Sequence, residues 1–282
     1  MLSAAPLVVA ATMGGMPSVT IAPGVHLPLV SLGTGSGQHG VVANATAAWL
    51  RLGGTAIDTA YIYNDETQIG AGIAASGVSR KDIFITTKVP CGTYDESIKK
   101  MDENLRELNV TSVNLTIIHF PECFGTGSAA ETWRALEDVK AAGKSSAIGV
   151  SNFSPSQLRQ LQTTAKDWPP AINQCSLSVG YHDDDTIKYC DENKITYMGY
   201  SPLCGGPNGS SCRHGSVMSI PQVQAIAASH NVSAAQIALK WIVQQGRPLA
   251  TAVWREDYMK EDLDLWSWGS LTAEEMTTLT SI

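Results

Sequence analysis

A chain of 282 residues with 44% hydrophobic and 16% charged residues is long enough for one large α/β domain and too apolar to be disordered. Its net charge of −7, with a sequence pI near 5.3, argues against nucleic acid or an anionic membrane as the main partner. No apolar run approaches the roughly 20 residues that span a bilayer, so no membrane partner is expected.

Along the chain, MLSAAPLVVAATMGG is small and apolar but lacks the Lys or Arg that normally follows Met1 in a secretory signal. Residues 1–16 are expected to be a flexible tail. PSVTIAPGVHLPLV, with Pro-Gly at its middle, reads as a β-hairpin that plugs the bottom of the domain behind it. LVSLGTG, near residue 30, and TAID, near 56, read as strands. In GGTAIDTAYIYNDE (53–66) a carboxylate, Asp58, closes the apolar run and a phenol, Tyr63, follows it. A turn accounts for one polar residue there; a proton-transfer site accounts for both.

FITTKV (84–89) is the next strand. DESIKKMDENLREL (95–108) then sets Ile98, Met101, Leu105 and Leu108 at helical spacing, with Asp95 as the expected N-cap. VNLTIIHF (113–120) is a strand. SAAETWRALEDVKAAG (128–143) is a helix with a capping box at Ser128 and Glu131 and a stop at Gly143. SSAIGVSNF (145–153) is a strand, and its helix opens with Ser154 as cap, Pro155 at the first helical position and Gln157 completing the box. PAINQC (170–175) with its helix, ITYMGYS (195–201), a Gly-rich loop, the helix SAAQIALKWIVQQG (233–246) and the strand PLATAVW (248–254) complete the pattern. HDDD (182–185) reads as an acidic first helical turn rather than a metal site.

About eight strand–helix units without an internal linker predict an α/β fold over residues 17–282, a (β/α)8 TIM barrel preceded by the hairpin. A doubly wound open sheet is the runner-up. Barrel sites are built at the C-terminal ends of the strands. The polar groups expected there are Asp58, Tyr63, Lys88, His119, Ser151, Asn152, Asn173, Gln174 and Tyr200. A lysine ending an apolar strand needs a carboxylate, and Asp58 is the candidate. Singly, each has an ordinary reading as a cap, a rim charge or core; together, at strand ends, they read as a site.

The six cysteines form no CxxC pair; their even number allows disulfides, but in a chain of this size buried free thiols are the expectation. Cys204, Cys212 and His214 match no usual zinc spacing. The sequons at Asn44, Asn114 and Asn231 read as chance, since Asn114 falls in an expected strand; a cytoplasmic location is expected.

The segments AIDTAYIYNDE, TTKV, IIHFP, AIGVSNFS, INQC and YSPL, in this order and spacing, make the chain resemble the aldo-keto reductase superfamily over nearly its whole length. The resemblance implies an NADP-dependent oxidoreductase that reduces an aldehyde or ketone with hydride from NADPH. It implies that Tyr63 is the proton donor, Lys88 lowers the phenol's pKa, Asp58 holds Lys88, and His119 donates to the substrate oxygen. It further implies cofactor contacts from Gly33, Thr34, Asp58, Ser151, Asn152, Gln174, Tyr200, Ser201, Leu203 and Arg255, a small-molecule carbonyl partner, no resident metal, and a monomer or weak dimer.

The departures matter as much. Gly35 stands where many relatives have Trp, Pro90 where they have an aromatic, Phe120 where Trp is frequent, and the chain ends at Ile282 soon after LTAEEM. A wide, weakly discriminating substrate pocket is expected. Where relatives grip the 2′-phosphate, this chain has Ala252, Val253 and Tyr258, leaving Arg255 among Glu256, Asp257, Glu261 and Asp262. The other reading is a non-redox or regulatory barrel with weakened cofactor binding.

Overall fold

The computed structural model describes residues 11–282 except 14, 36–39, 124 and 205–215. Three antiparallel strands come first: β1 (Ala11–Met13), β2 (Met16–Ala22) and β3 (Val25–Pro28), in that order across the sheet. The β2–β3 turn runs through Gly24 at φ +73°, a left-handed conformation that glycine adopts without penalty. The stretch expected to be a tail thus contributes Ala11–Met13 as a strand paired with β2; residues 1–10 lie outside the described residues.

Eight parallel strands follow and close on themselves: β4 (Val30–Gly33), β5 (Ala56–Asp58), β6 (Phe84–Val89), β7 (Val113–Ile118), β8 (Ser145–Ser151), β9 (Ile172–Ser176), β10 (Thr196–Tyr200) and β11 (Leu249–Thr251). β11 pairs with both β10 and β4, which closes the barrel and excludes the open sheet.

The helices form the outer layer: α1 (Val42–Arg51), α2 (Glu66–Ser76), α3 (Tyr94–Leu108), α4 (Ala129–Ala141), α5 (Pro155–Gln162), α6 (Asp184–Glu192), α7 (Pro221–His230), α8 (Ala234–Val243), α9 (Glu256–Leu263) and α10 (Ala273–Thr280). α3 starts one residue earlier than its periodicity suggests. Thr93, not Asp95, is its N-cap, because Thr93 and Glu96 satisfy each other's backbone N–H groups. Asp95 lies in the first turn, where a negative charge still favours the helix dipole. At α4 only half of the expected box forms: Ser128 Oγ accepts from Glu131 N, while Ser128 N donates to Gly92 O. The boxes at Ser154 and Ser233 are complete. Asp183 caps α6, and Asp184 and Asp185 fill its first turn.

Strand alternation divides the core into two. One cluster lies between barrel and helices and includes Ile85, Val89, Ile118 and Trp133. The other fills the lower barrel interior with Ala56, Phe84, Leu115, Ile117, Ala147, Ile172, Met198 and Ala250, and Ile21, Val25 and Leu27 of the hairpin pack into it. The hairpin therefore plugs the bottom; each fully buried side chain of this size contributes about 1.5–3 kcal/mol.

Among the cysteines the expectation of free thiols fails in part. Cys91 and Cys123 are joined in a disulfide, and Cys204 is also disulfide-bonded. Cys175 and Cys190 are free. The pairing depends on two loops meeting at the barrel mouth, which residue spacing does not encode. Cys212 and His214 lie outside the described residues, and no candidate metal cluster occurs among the described ones. No helix of the described residues is long and apolar enough to cross a membrane.

Candidate active site

The inner face of each strand carries its polar residue at the top because side chains repeat every second position. Above Ala56 comes Asp58; above Phe84 and Thr86 comes Lys88; above Ile117 comes His119; above Ile172 comes Gln174; above Met198 comes Tyr200. Each of the lower residues belongs to the plugged interior, apart from Thr86, which is itself buried. Tyr63 reaches the same place from a single 3-10 turn, Tyr61–Tyr63, after β5.

At the centre Lys88 donates to Asp58 Oδ1, and also to the Thr59 carbonyl at 2.9 Å. Gln174 Nε2 donates to the other carboxylate oxygen of Asp58 at 2.6 Å. Lys88 and Asp58 are both buried. Burial alone would push the ammonium's pKa down. Asp58, with a further contribution from Tyr63, holds it above its ordinary value, so Lys88 stays charged.

The Tyr63 ring centroid is 5.2 Å from Lys88 Nζ and 5.5 Å from the His119 ring, edge to face. The phenol's pKa is raised, contrary to the sequence expectation. Desolvation is the largest influence; Lys88 lowers the pKa, but Asp58 takes part of that back. The lysine limits the rise instead of producing a net fall. Gly35 lies directly against this ring: a Cβ there would sit 2.7 Å from Tyr63 Cζ and 2.9 Å from its hydroxyl. The missing side chain lets the backbone approach the phenol and so forms a wall, in addition to removing an aromatic one.

His119 is pushed down to about 3 by burial and by the Lys88 charge, so its imidazole is neutral at physiological pH. Its Nδ1 is buried and without a hydrogen-bond partner. Its ring stacks on Phe120 at 4.6 Å between centroids.

The remaining expected residues surround this centre. Thr34 is buried and its N–H donates to the Asp58 carbonyl at 3.0 Å, while Gly33 pairs with Asp58 across β4 and β5. Ser151 Oγ donates to the Gln174 carbonyl at 2.7 Å. Asn152, at φ +65°, turns its side chain back so that Nδ2 donates to the His119 carbonyl at 3.0 Å and Oδ1 accepts from Tyr200 at 2.8 Å. Ser201 is also left-handed, at φ +52°, and Leu203 packs on the outer core. Asn173 is not at the mouth. It lies on the outer face of β9 and bonds Phe153 O at 2.8 Å.

Arg255 lies beyond the end of β11, exposed. It is held in a fork by Asp257 and lies 4.5 Å over the Tyr258 ring. Asp262 does not contribute a surface charge, as the sequence suggested; it is buried, accepts from Thr251 Oγ1 at 3.0 Å and is pushed up to about 7 by burial. Sequence reading also passed over Glu66. Buried at the start of α2, it accepts from Thr87 Oγ1 at 2.6 Å and is likewise raised to about 7 by burial. Its signal was its place in YNDE, next to Tyr63.

For a nicotinamide cofactor, the polar lining of Ser151, Asn152 and Gln174 beside the part-buried Tyr200 ring fits a carboxamide on a flat ring. Arg255 carries the charge for one anionic group, against competition from Asp257.

A family model, Aldo/keto reductase family, matches residues 32–282. The NADPH-dependent codeinone reductase 1-4 of Papaver somniferum is 31% identical over 294 residues, spanning 95% of this chain and 90% of that protein. The 9,11-endoperoxide prostaglandin H2 reductase of Trypanosoma cruzi is 31% identical, spanning 92% and 88%. The crystal structure of a Bombyx mori aldo-keto reductase in complex with NADP superimposes with a TM-score of 0.87 at 28% identity, covering 96% of this chain and 93% of that one.

Proposed function

Since the chain belongs to the aldo/keto reductase family, we propose that it reduces an aldehyde or ketone to the alcohol at the expense of NADPH, with Tyr63 as proton donor. The observation that carries this reading is the convergence of one charged lysine, one phenol and one neutral imidazole at the barrel mouth. The cofactor supplies hydride to the carbonyl carbon.

The chain's own residues do the rest. Neutral His119 offers a ring N–H to the carbonyl oxygen without competing for its proton. Tyr63 carries its proton through neutral pH, as an ordinary phenol does and as burial, which raises its pKa, also ensures, and it gives that proton to the alkoxide. Lys88 stabilises the phenolate that this leaves behind. Asp58 keeps Lys88 charged, and Gln174 keeps Asp58 in place. Gly35 and the Asp58–Lys88 pair shield the phenol from water on two sides. Ser151, Asn152, Gln174 and Tyr200 would hold the nicotinamide end, and Arg255 the 2′-phosphate.

The substrate we propose is bulky and apolar, because Phe120 stands exposed against His119, and Ile62, next to Tyr63 in the chain, is exposed as well. The named codeinone and prostaglandin H2 reductases support that size class. The test is steady-state reduction of a ring-bearing ketone with NADPH by wild type and Tyr63→Phe. The substitution should lower kcat by about 10² to 10⁴ while leaving the NADPH dissociation constant nearly unchanged. Full activity in Tyr63→Phe removes Tyr63 as the donor. Failure of wild type to bind either nicotinamide nucleotide returns the chain to the non-redox reading.

A further inference from the structure

The disulfide lies close along the chain to two groups of the site, Lys88 and His119. Cys91 follows Lys88 after Val89 and Pro90, and Cys123 follows His119 after Phe120, Pro121 and Glu122. Their Cα atoms are 4.5 Å apart, within the span a disulfide bridges. The bond ties the loop after β6 to the loop after β7.

Both flanks of the second loop are anchored without it. His119 N donates to Val89 O at 2.9 Å, and farther on Ser128 N donates to Gly92 O at 3.3 Å. Thr132 Oγ1 meets both Gly92 N and Gly92 O at 3.0 Å. Gly127 packs so closely on Gly92 that a Cβ would lie 1.9 Å from its carbonyl carbon. Between these anchors the disulfide fixes Phe120–Cys123, the stretch whose Phe120 ring lies nearly parallel to His119, at 10°.

We infer that the Cys91–Cys123 disulfide is a positioning element of the substrate site and a thiol–disulfide switch of it. The inference rests on the carbonyl-reductase reading above. With the bond closed, Phe120 is held against His119 and forms a fixed wall for the carbonyl. With the bond open, the flanking anchors keep the barrel intact while Phe120–Cys123 is released.

Access is asymmetric, since Cys91 is buried and Cys123 is partly exposed. A thiolate of an external dithiol attacks Cys123 Sγ, forming a mixed disulfide and expelling Cys91 as a thiolate, which takes up a proton. The second thiol of the reductant then closes its own disulfide and releases Cys123 as a thiol. Two electrons and two protons pass from the dithiol to the protein. Cys175 and Cys190 do not compete, because burial pushes both thiols up to about 12.

The test uses the full chain, oxidised, then treated with dithiothreitol, then re-oxidised, with free thiols counted at each stage. KM and kcat are measured for a ring-bearing ketone, together with the NADPH dissociation constant. Reduction should raise KM by roughly tenfold, change kcat less, leave NADPH binding unchanged, and reverse on re-oxidation. The Cys91→Ser/Cys123→Ser variant should have the reduced-form KM with or without dithiol. Hydrogen exchange at Phe120–Cys123 should speed up on reduction, while β6 and β7 stay protected. The same KM in both states overturns the inference. A double variant that still responds to dithiol also overturns it, placing the effect at Cys204. With no turnover in either state the reductase reading falls, and unchanged exchange at Phe120–Cys123 separately refutes the tether.

Discussion

Replacing Lys88 by Met tests the centre of the site through stability, independently of any substrate. The ammonium and the Asp58 carboxylate are 1% and 5% exposed at their side chains. Removing the lysine leaves a buried carboxylate whose remaining donor is the Gln174 amide at 2.6 Å. Breaking a buried pair from one side costs about 3–5 kcal/mol. At about 2 °C per kcal/mol for a chain of this size, Tm should fall by about 6–10 °C. Asp58→Asn, which strands the ammonium on the Thr59 carbonyl, should cost a similar amount. The double variant removes both charges and should recover most of the loss, with a coupling of at least about 2 kcal/mol. The assay is reversible denaturant unfolding of all four proteins at one pH. A coupling below about 0.5 kcal/mol would refute the reasoning: the pair would then be solvated, and Lys88 would have no strong influence on Tyr63. Losing Lys88 should also raise the phenol's pKa further, moving the alkaline limb of any surviving activity upward.

Gly35→Ala places a methyl carbon 2.7 Å from Tyr63 Cζ; it should lower turnover on the order of 10²-fold by displacing the phenol, with the far-ultraviolet spectrum unchanged, and unaltered turnover would show that the loop yields instead. His119 is depressed to about 3 in the fold against an ordinary value of 6.5, so the unfolded chain binds the extra proton first as pH falls. Its contribution to stability is therefore present above pH 6.5 and lost progressively toward pH 3, and NMR should find this imidazole neutral at pH 5; a midpoint near 6.5 contradicts its burial. Arg255→Ala should weaken NADPH more than NADH in paired binding titrations, and Asp257→Asn should strengthen NADPH by releasing the guanidinium; an unchanged ratio in both removes Arg255 as the phosphate reader.

What the sequence made legible follows from its periodicities. The period of two in FITTKV and IIHF is enough to put Lys88 and His119 on the face that the apolar interior lines below them. The lysine's need for a carboxylate pointed to Asp58. Other features depend on contacts made at a distance. Thr93 and Asp95 are both plausible caps in GTYDE, and the choice depends on where Glu96 can reach back. Cys91 and Cys123 pair because β6 and β7 are neighbours. Asp262 looks like surface charge in EDYMKEDLDL and is buried because α9 lies with Thr251 at the end of β11. Lys88 lowers Tyr63's pKa as the sequence implies, but the net shift is upward, because a nearby cation is visible in the sequence and desolvation is not.

The two ends of the barrel have different thermodynamic tasks, and the same strands serve both. At the bottom, Phe84, Ile117, Ile172 and Met198 bury apolar area against Ile21, Val25 and Leu27 of the hairpin, which stabilises the closed sheet. Two or four positions along, the same inner faces present Lys88, His119, Gln174 and Tyr200, none of which would be favourable there without partners. Asp58 takes the lysine and the glutamine together, and Asn152 takes the tyrosine and the His119 carbonyl. Among these four side chains His119 is the exception, its Nδ1 buried at the mouth without a partner. The apolar plug thus supports a polar layer in which Lys88, Gln174 and Tyr200 have partners and the imidazole Nδ1 has none, and the imidazole is the group assigned above to the carbonyl oxygen.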